Sequence, residues 1–148
     1  MVRDKLRAHL RTPVVLEGYS SRQSTHEAIK AQLYVLGYRL GLVPILEASG
    51  NNHADRTRID CLLCKSGQPI CGIEVDYSIK AASIRKLLQL GTDVEKIIIS
   101  YGRQAARSKA VYRHKTHLKD IKHFILYQSQ GDYDRQQKYR HKGEGTNE

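Results

Sequence analysis

Three carboxylates, Asp60, Glu74 and Asp76, have the types and spacing to act together. Glu74-Val75-Asp76 sets two acids at i and i+2, which on a strand point to the same face. Asp60 lies on the preceding apolar segment, joined to them through the short turn Lys65-Ser66-Gly67-Gln68. A hairpin closed by that turn pairs residues whose numbers sum to about 133. Cys64 then sits opposite Pro69, and Asp60 falls near Ile73 and Glu74. Three carboxylates on one patch repel one another unless something neutralises them. A hard divalent cation, Mg²⁺ or Mn²⁺, does so through carboxylate oxygens while keeping several waters. Such an ion activates water and stabilises charge that builds up on a phosphate. The plainer alternative puts Glu74 and Asp76 on a solvent-facing strand surface, with Asp60 paired to Arg58 or Arg56.

The elements that must hold these acids follow from the hydrophobic pattern. Arg3–Leu10 has Leu6 and Leu10 on one helical face, and Pro13 ends it. Ser24-Thr25-His26-Glu27 has the form of a capping box, and Ile29, Leu33 and Leu36 recur at helical spacing after it. Gly37 and Gly41 close that helix. Leu42–Ala48 reads as a strand, with Pro44 favouring an edge position. Thr57–Cys64 and Pro69–Asp76 form the hairpin. Ser78–Leu90 reads as a helix that buries Ile84, Leu87 and Leu88 and stops at Gly91. Val94–Tyr101 contains Ile97-Ile98-Ile99, a run suited to a strand buried on both faces. Residues 104–120 read as a basic helix and His123–Gln128 as a last strand. The expected fold class is α/β, a mixed central sheet flanked by helices. The expected organisation is a basic N-terminal arm over 1–23, a domain over 24–128 and a polar, mobile tail over 129–148.

Charge points to the partner. The chain has 148 residues, with 25 Lys and Arg against 15 Asp and Glu, a formal charge of +10. That balance favours a polyanion, most often nucleic acid. The excess is concentrated: residues 103–122 hold seven basic side chains and one acid, while residues 123–148 are balanced at four and four. Arg103, Arg107, Lys109, Arg113 and Lys115 are therefore the candidate phosphate contacts, with Tyr112 available to stack.

Other classes are disfavoured. The apolar runs are far short of the roughly 20 residues that span a membrane, and no apolar stretch follows the charged start in the manner of a signal peptide. Cys61, Cys64 and Cys71 have no second Cys or His pair at zinc-site spacing. They read as reduced, buried side chains, which agrees with a cytoplasmic location. No glycine-rich phosphate loop is present.

The order helix–strand–strand–strand–helix–strand, with an acid on the second strand and Glu-x-Asp on the third, resembles the PD-(D/E)xK nuclease superfamily, the restriction-endonuclease-like fold. The resemblance covers residues 24–101. It implies an αβββαβ core and a Mg²⁺-dependent DNA endonuclease, a hydrolase of phosphodiester bonds in a superfamily where homodimers are common. It implies that Asp60 and Glu74 are metal ligands and that Glu27, on the first helix, assists. Asp76 stands where the family usually carries Lys, and Ile59 where it carries Pro. Some restriction enzymes of the superfamily carry an acid at the Lys position and remain active, which makes Asp76 a further metal-ligand candidate beside Asp60 and Glu74. In others the Lys has moved to the following helix, which makes Lys80 its counterpart. Members whose site has decayed serve only to bind nucleic acid or a protein partner, and that is the alternative reading. His26, His53 and Asp55 flank the site in sequence and are read as ordinary surface residues.

Overall fold

The computed structural model describes residues 2–10, 21–49, 58–102 and 104–126, without the side chains of 104–108. The expected tail over 129–148, the loop carrying His53 and Asp55, and Arg103 lie outside the described residues.

Nine elements follow in order: α1 (Val2–His9), α2 (Arg22–Arg39), β1 (Val43–Ser49), β2 (Arg58–Lys65), β3 (Gln68–Asp76), α3 (Ala81–Leu88), β4 (Glu95–Ser100), α4 (Gln104–Arg113) and β5 (Lys122–Ile125). The strands form one mixed sheet in the order β1-β2-β3-β4-β5. The first three are antiparallel neighbours, and β4 and β5 add in parallel. A parallel step needs a crossover, and α3 and α4 provide the two.

The sheet is covered on both faces. On one side Val2, Leu6 and Leu10 join Ile29, Leu33 and Leu36 of α2 over Cys61, Leu63, Ile73, Val75, Ile97 and Ile99. The opening helix is thus packed into the core, with its first amides held by Glu95: Val2 N–H and Arg3 N–H both donate to that carboxylate. On the other side Ile84 and Leu87 of α3 and Ala110 of α4 pack on Ile98. Ile97, Ile98 and Ile99 are all fully buried, as their continuous run requires. β1 lies at the edge, where Pro44 lacks no needed hydrogen bond.

Three expectations need correction. The second helix begins a turn before the expected capping box. Its N-cap is Ser21, whose hydroxyl accepts from Ser24 N–H at 3.0 Å. Ser24 is inside the helix, so Glu27 has no capping role. The basic helix ends at Arg113, and 114–120 are hydrogen-bonded turns. Leu88 is 45% exposed, so the buried side of α3 is Ile84 and Leu87 with Ser83.

Candidate functional site

The hairpin turn fixes the centre of the site. Ser66 and Gly67 both have positive φ, as the tight turn joining two twisted strands demands. Lys65 pairs with Gln68 and Cys64 with Pro69, in the expected register. An irregularity between Leu63 and Cys64 then shifts the ladder by one, pairing Cys61 with Ile73. Continued by one step, that register sets Asp60 opposite Glu74. The two are linked by their hydrogen bonds: Asp60 N–H donates to Glu74 Oε1 at 3.2 Å, and Val75 N–H donates to Asp60 Oδ2 at 2.8 Å.

Asp76 is two residues beyond Glu74 on the same face and pairs in register with Ser100 of β4. Lys80 N–H donates to its Oδ2 at 3.3 Å, and Ser83 hydrogen-bonds it as well. Glu74 is 1% and Asp76 5% exposed, so the solvent-facing alternative for this pair is excluded. The cation beside Glu74 is Lys86 of α3, whose Nζ lies 2.7 Å from Glu74 Oε2. The same ammonium donates to the Arg58 carbonyl at 2.9 Å.

Burial sets the electrostatics. It pushes the Glu74 carboxyl up to about 7; Lys86 pulls the other way and Asp60 adds to the rise. Burial likewise raises Asp76, against the Ser83 and Lys80 hydrogen bonds. Tyr101, buried beside Asp76, is raised too, by desolvation first.

An open groove of about 520 Å³ lies over these acids, where the start of α2 and the start of α3 part at the end of β3. Arg22, His26, Tyr77, Lys80, Lys86 and Tyr101 line it with the three carboxylates. His26 Nε2 is 3.5 Å from Asp60 Oδ2, and its Nδ1 is 3.5 Å from Glu27 Oε1. Glu27 is mostly exposed and reaches Asp60 only through that ring. It also meets the buried Lys30, which pairs with Glu47 of β1. Glu47 holds a left-handed backbone at φ 52°. Its carboxyl is lowered by the Lys30 hydrogen bond, while Lys30 is raised by its two acids against the pull of burial. Lys30 thus ties α2 to β1 behind the groove.

The expected site residues divide accordingly. Asp60, Glu74 and Asp76 come together on one face. Lys80 contributes a backbone amide, its side chain being exposed at the N-cap of α3. Lys109, Arg113 and Lys115 are exposed on α4 and the turn after it, and Arg107 lies within α4. Lys86, Arg22 and Tyr77 were not among the expected residues. Lys86 had one available signal: it stands beside buried Leu87 on a helix that crosses the strand bearing Glu74. The cysteines are free and buried as expected, and burial pushes the Cys61 thiol up to about 12. No described helix is long and apolar enough to cross a membrane.

The donor chemistry suits a hard cation, since all three acids are oxygen ligands, and burial and then the nearby Asp60 carboxylate penalise the ionised forms of Glu74 and Asp76. The three acids are already engaged by the backbone amides of Asp60, Val75 and Lys80, by Ser83 and His26, and by Lys86. Among the described residues no three His, Cys, Asp or Glu side chains are arranged to hold a metal ion. Compared with known proteins, the chain matches no family model, no curated sequence and no solved structure.

Proposed function

We propose that the chain is a metal-dependent DNA endonuclease of the PD-(D/E)xK type, with Asp60, Glu74 and Asp76 as the residues that would hold Mg²⁺ or Mn²⁺. The ion would supply an activated water and stabilise charge on the phosphate. The observation that supports this reading is the mutual hydrogen bonding of Asp60 and the Glu74 segment across the hairpin, with Lys86 on Glu74. Lys86 takes the charge-balancing place expected of Lys80. It opposes the burial that raises Glu74 and so favours the ionised form that a metal ligand needs. His26 orients the Asp60 carboxylate from the α2 side, and Glu27 acts through His26. The exposed cations of α4 and the following turn, with Arg103 and Arg107, hold the strand by its phosphates.

A second reading has its own support. Every carboxylate of the cluster already has a protein partner, which suits a domain that keeps the fold and binds nucleic acid or a protein without cutting. Calorimetric titration with Mg²⁺ and Mn²⁺ on wild type and Asp60→Asn, with plasmid and branched DNA cleavage on the same samples, separates the two. Metal binding and cutting that are both lost in the variant support the nuclease. DNA binding that falls steeply with salt, without metal binding or cutting, supports the second reading.

A further inference from the structure

Arg22 opens α2 at the rim of the groove, beside the carboxylates but bound to none of them. Its guanidinium lies over the Tyr77 ring, 3.8 Å from the centroid. Tyr77 in turn meets Tyr101 edge-on, with centroids 5.7 Å apart. The Tyr101 hydroxyl donates to the Arg22 carbonyl at 3.1 Å, closing a three-residue unit that joins α2 to the ends of β3 and β4. Behind it the backbone is tight, since Tyr101 N–H donates to the Asp76 carbonyl at 3.1 Å.

Stacking on a ring uses the face of a guanidinium and leaves its in-plane N–H edge available. Among the described residues no carboxylate pairs with Arg22, although three acids line the same groove. A flexible arginine would be drawn to such acids; this one is held off them by Tyr77. An oriented fork of free donors matches two oxygens of a phosphate. Lys80, exposed across the groove, adds a second positive charge.

We propose that Arg22, held over the Tyr77 ring, grips a backbone phosphate of the DNA strand entering the groove and sets the neighbouring phosphodiester over Asp60, Glu74 and Asp76. The inference rests on the nucleic-acid reading above. It assigns the positioning contact to the start of α2, apart from the cations of 103–115. Tyr77 is a positioning residue that acts through Arg22.

The test is fluorescence anisotropy with labelled single-stranded and duplex DNA over a range of salt. It is run in EDTA and again with Ca²⁺, a looser hard cation that neutralises carboxylates. Arg22→Gln is expected to weaken binding about fivefold to tenfold and to lower the salt slope by about one. Arg22→Lys is expected to restore the slope but not the full affinity, since an ammonium keeps the charge and loses the fork. Tyr77→Leu is expected to weaken binding while leaving the charge in place. Thermal unfolding of each variant shows that it is folded. Wild-type binding with an unchanged Arg22→Gln would overturn the inference and leave the nucleic-acid reading standing. Absence of wild-type binding under both conditions would overturn both.

Discussion

Lys86 Nζ stands 2.7 Å from Glu74 Oε2, a partly buried amine holding a carboxylate that is 1% exposed. Burial of Glu74, opposed in part by Lys86, makes stability depend on pH with a definite sign. Folded Glu74 keeps its proton up to about pH 7, whereas the unfolded chain releases it near the ordinary value of 4.5. Between those values the folded state holds the extra proton, so this group's contribution to stability falls as pH rises through the window and levels off above it. The full span corresponds to on the order of 3 kcal/mol. Lys86→Ala removes the cation and pushes Glu74 further up. Its cost is expected to be small at pH 5, where Glu74 is protonated, and larger at pH 8. Urea unfolding at the two pH values reads this directly. An equal loss at both would mean that the pair does not control the titration.

Asp60 has a structural task separate from any chemistry. Its Oδ2 accepts the buried Val75 amide at 2.8 Å. Asp60→Ala leaves that amide unmet, at an expected loss of about 1–3 kcal/mol. Asp60→Asn keeps an acceptor oxygen and is expected to lose about 1 kcal/mol or less. Denaturant midpoints at fixed pH distinguish the two. This is why Asn, and not Ala, serves in the metal titration: it removes the charge while keeping the hairpin closed.

The residues that were legible from sequence, and those that were not, differ in how local their causes are. The Ser66-Gly67 turn fixes the hairpin, so Cys64 opposite Pro69 could be read from the letters. The one-residue shift after Leu63 could not, because it depends on how β2 packs under two different layers. That shift decides that Asp60 meets Glu74 and not Ile73. The Ile97–Ile99 run announced a doubly buried strand, and Pro44 an edge. Ser24 and Glu27 formed a plausible cap, but Ser21 supplied an equally good hydroxyl a turn earlier, and the Arg22–Tyr77 contact favours the longer helix. Lys86 and Arg22 reach the groove only because the start of α2 and the start of α3 converge on one end of β3. No spacing rule reports that convergence.

Gly102 is fixed by close approach. A Cβ there would come 2.1 Å from the Tyr77 carbonyl oxygen, a backbone atom with nowhere to go. Gly102→Ala is expected to destabilise by about 1–3 kcal/mol, as overpacking does. It also displaces Tyr77, so the seat of Arg22 moves with it. The expected outcome is a lower melting temperature together with weaker DNA binding under conditions where the variant is still folded. Weaker stability with unchanged DNA affinity would separate Tyr77 from the binding surface.

The start of α2 gives the last prediction, since cap and groove meet there. Ser21 accepts from Ser24 N–H and its carbonyl accepts from Thr25 N–H and the Thr25 hydroxyl, so Ser21 sets where the helix begins and where Arg22 points. Ser21→Ala is expected to lose about 1 kcal/mol of stability. Glu27→Gln, at an exposed position with no capping contact, is expected to lose less than about 0.5 kcal/mol. A capping box at Ser24 would require the reverse order, because Glu27 would then hold the first amide of the helix. If Glu27→Gln nonetheless lowers Mn²⁺ affinity at unchanged stability, its effect must pass through His26, the ring that stands between it and Asp60. Glu27→Gln in the His26→Gln background should then add little further loss, since Glu27 would act only through that ring.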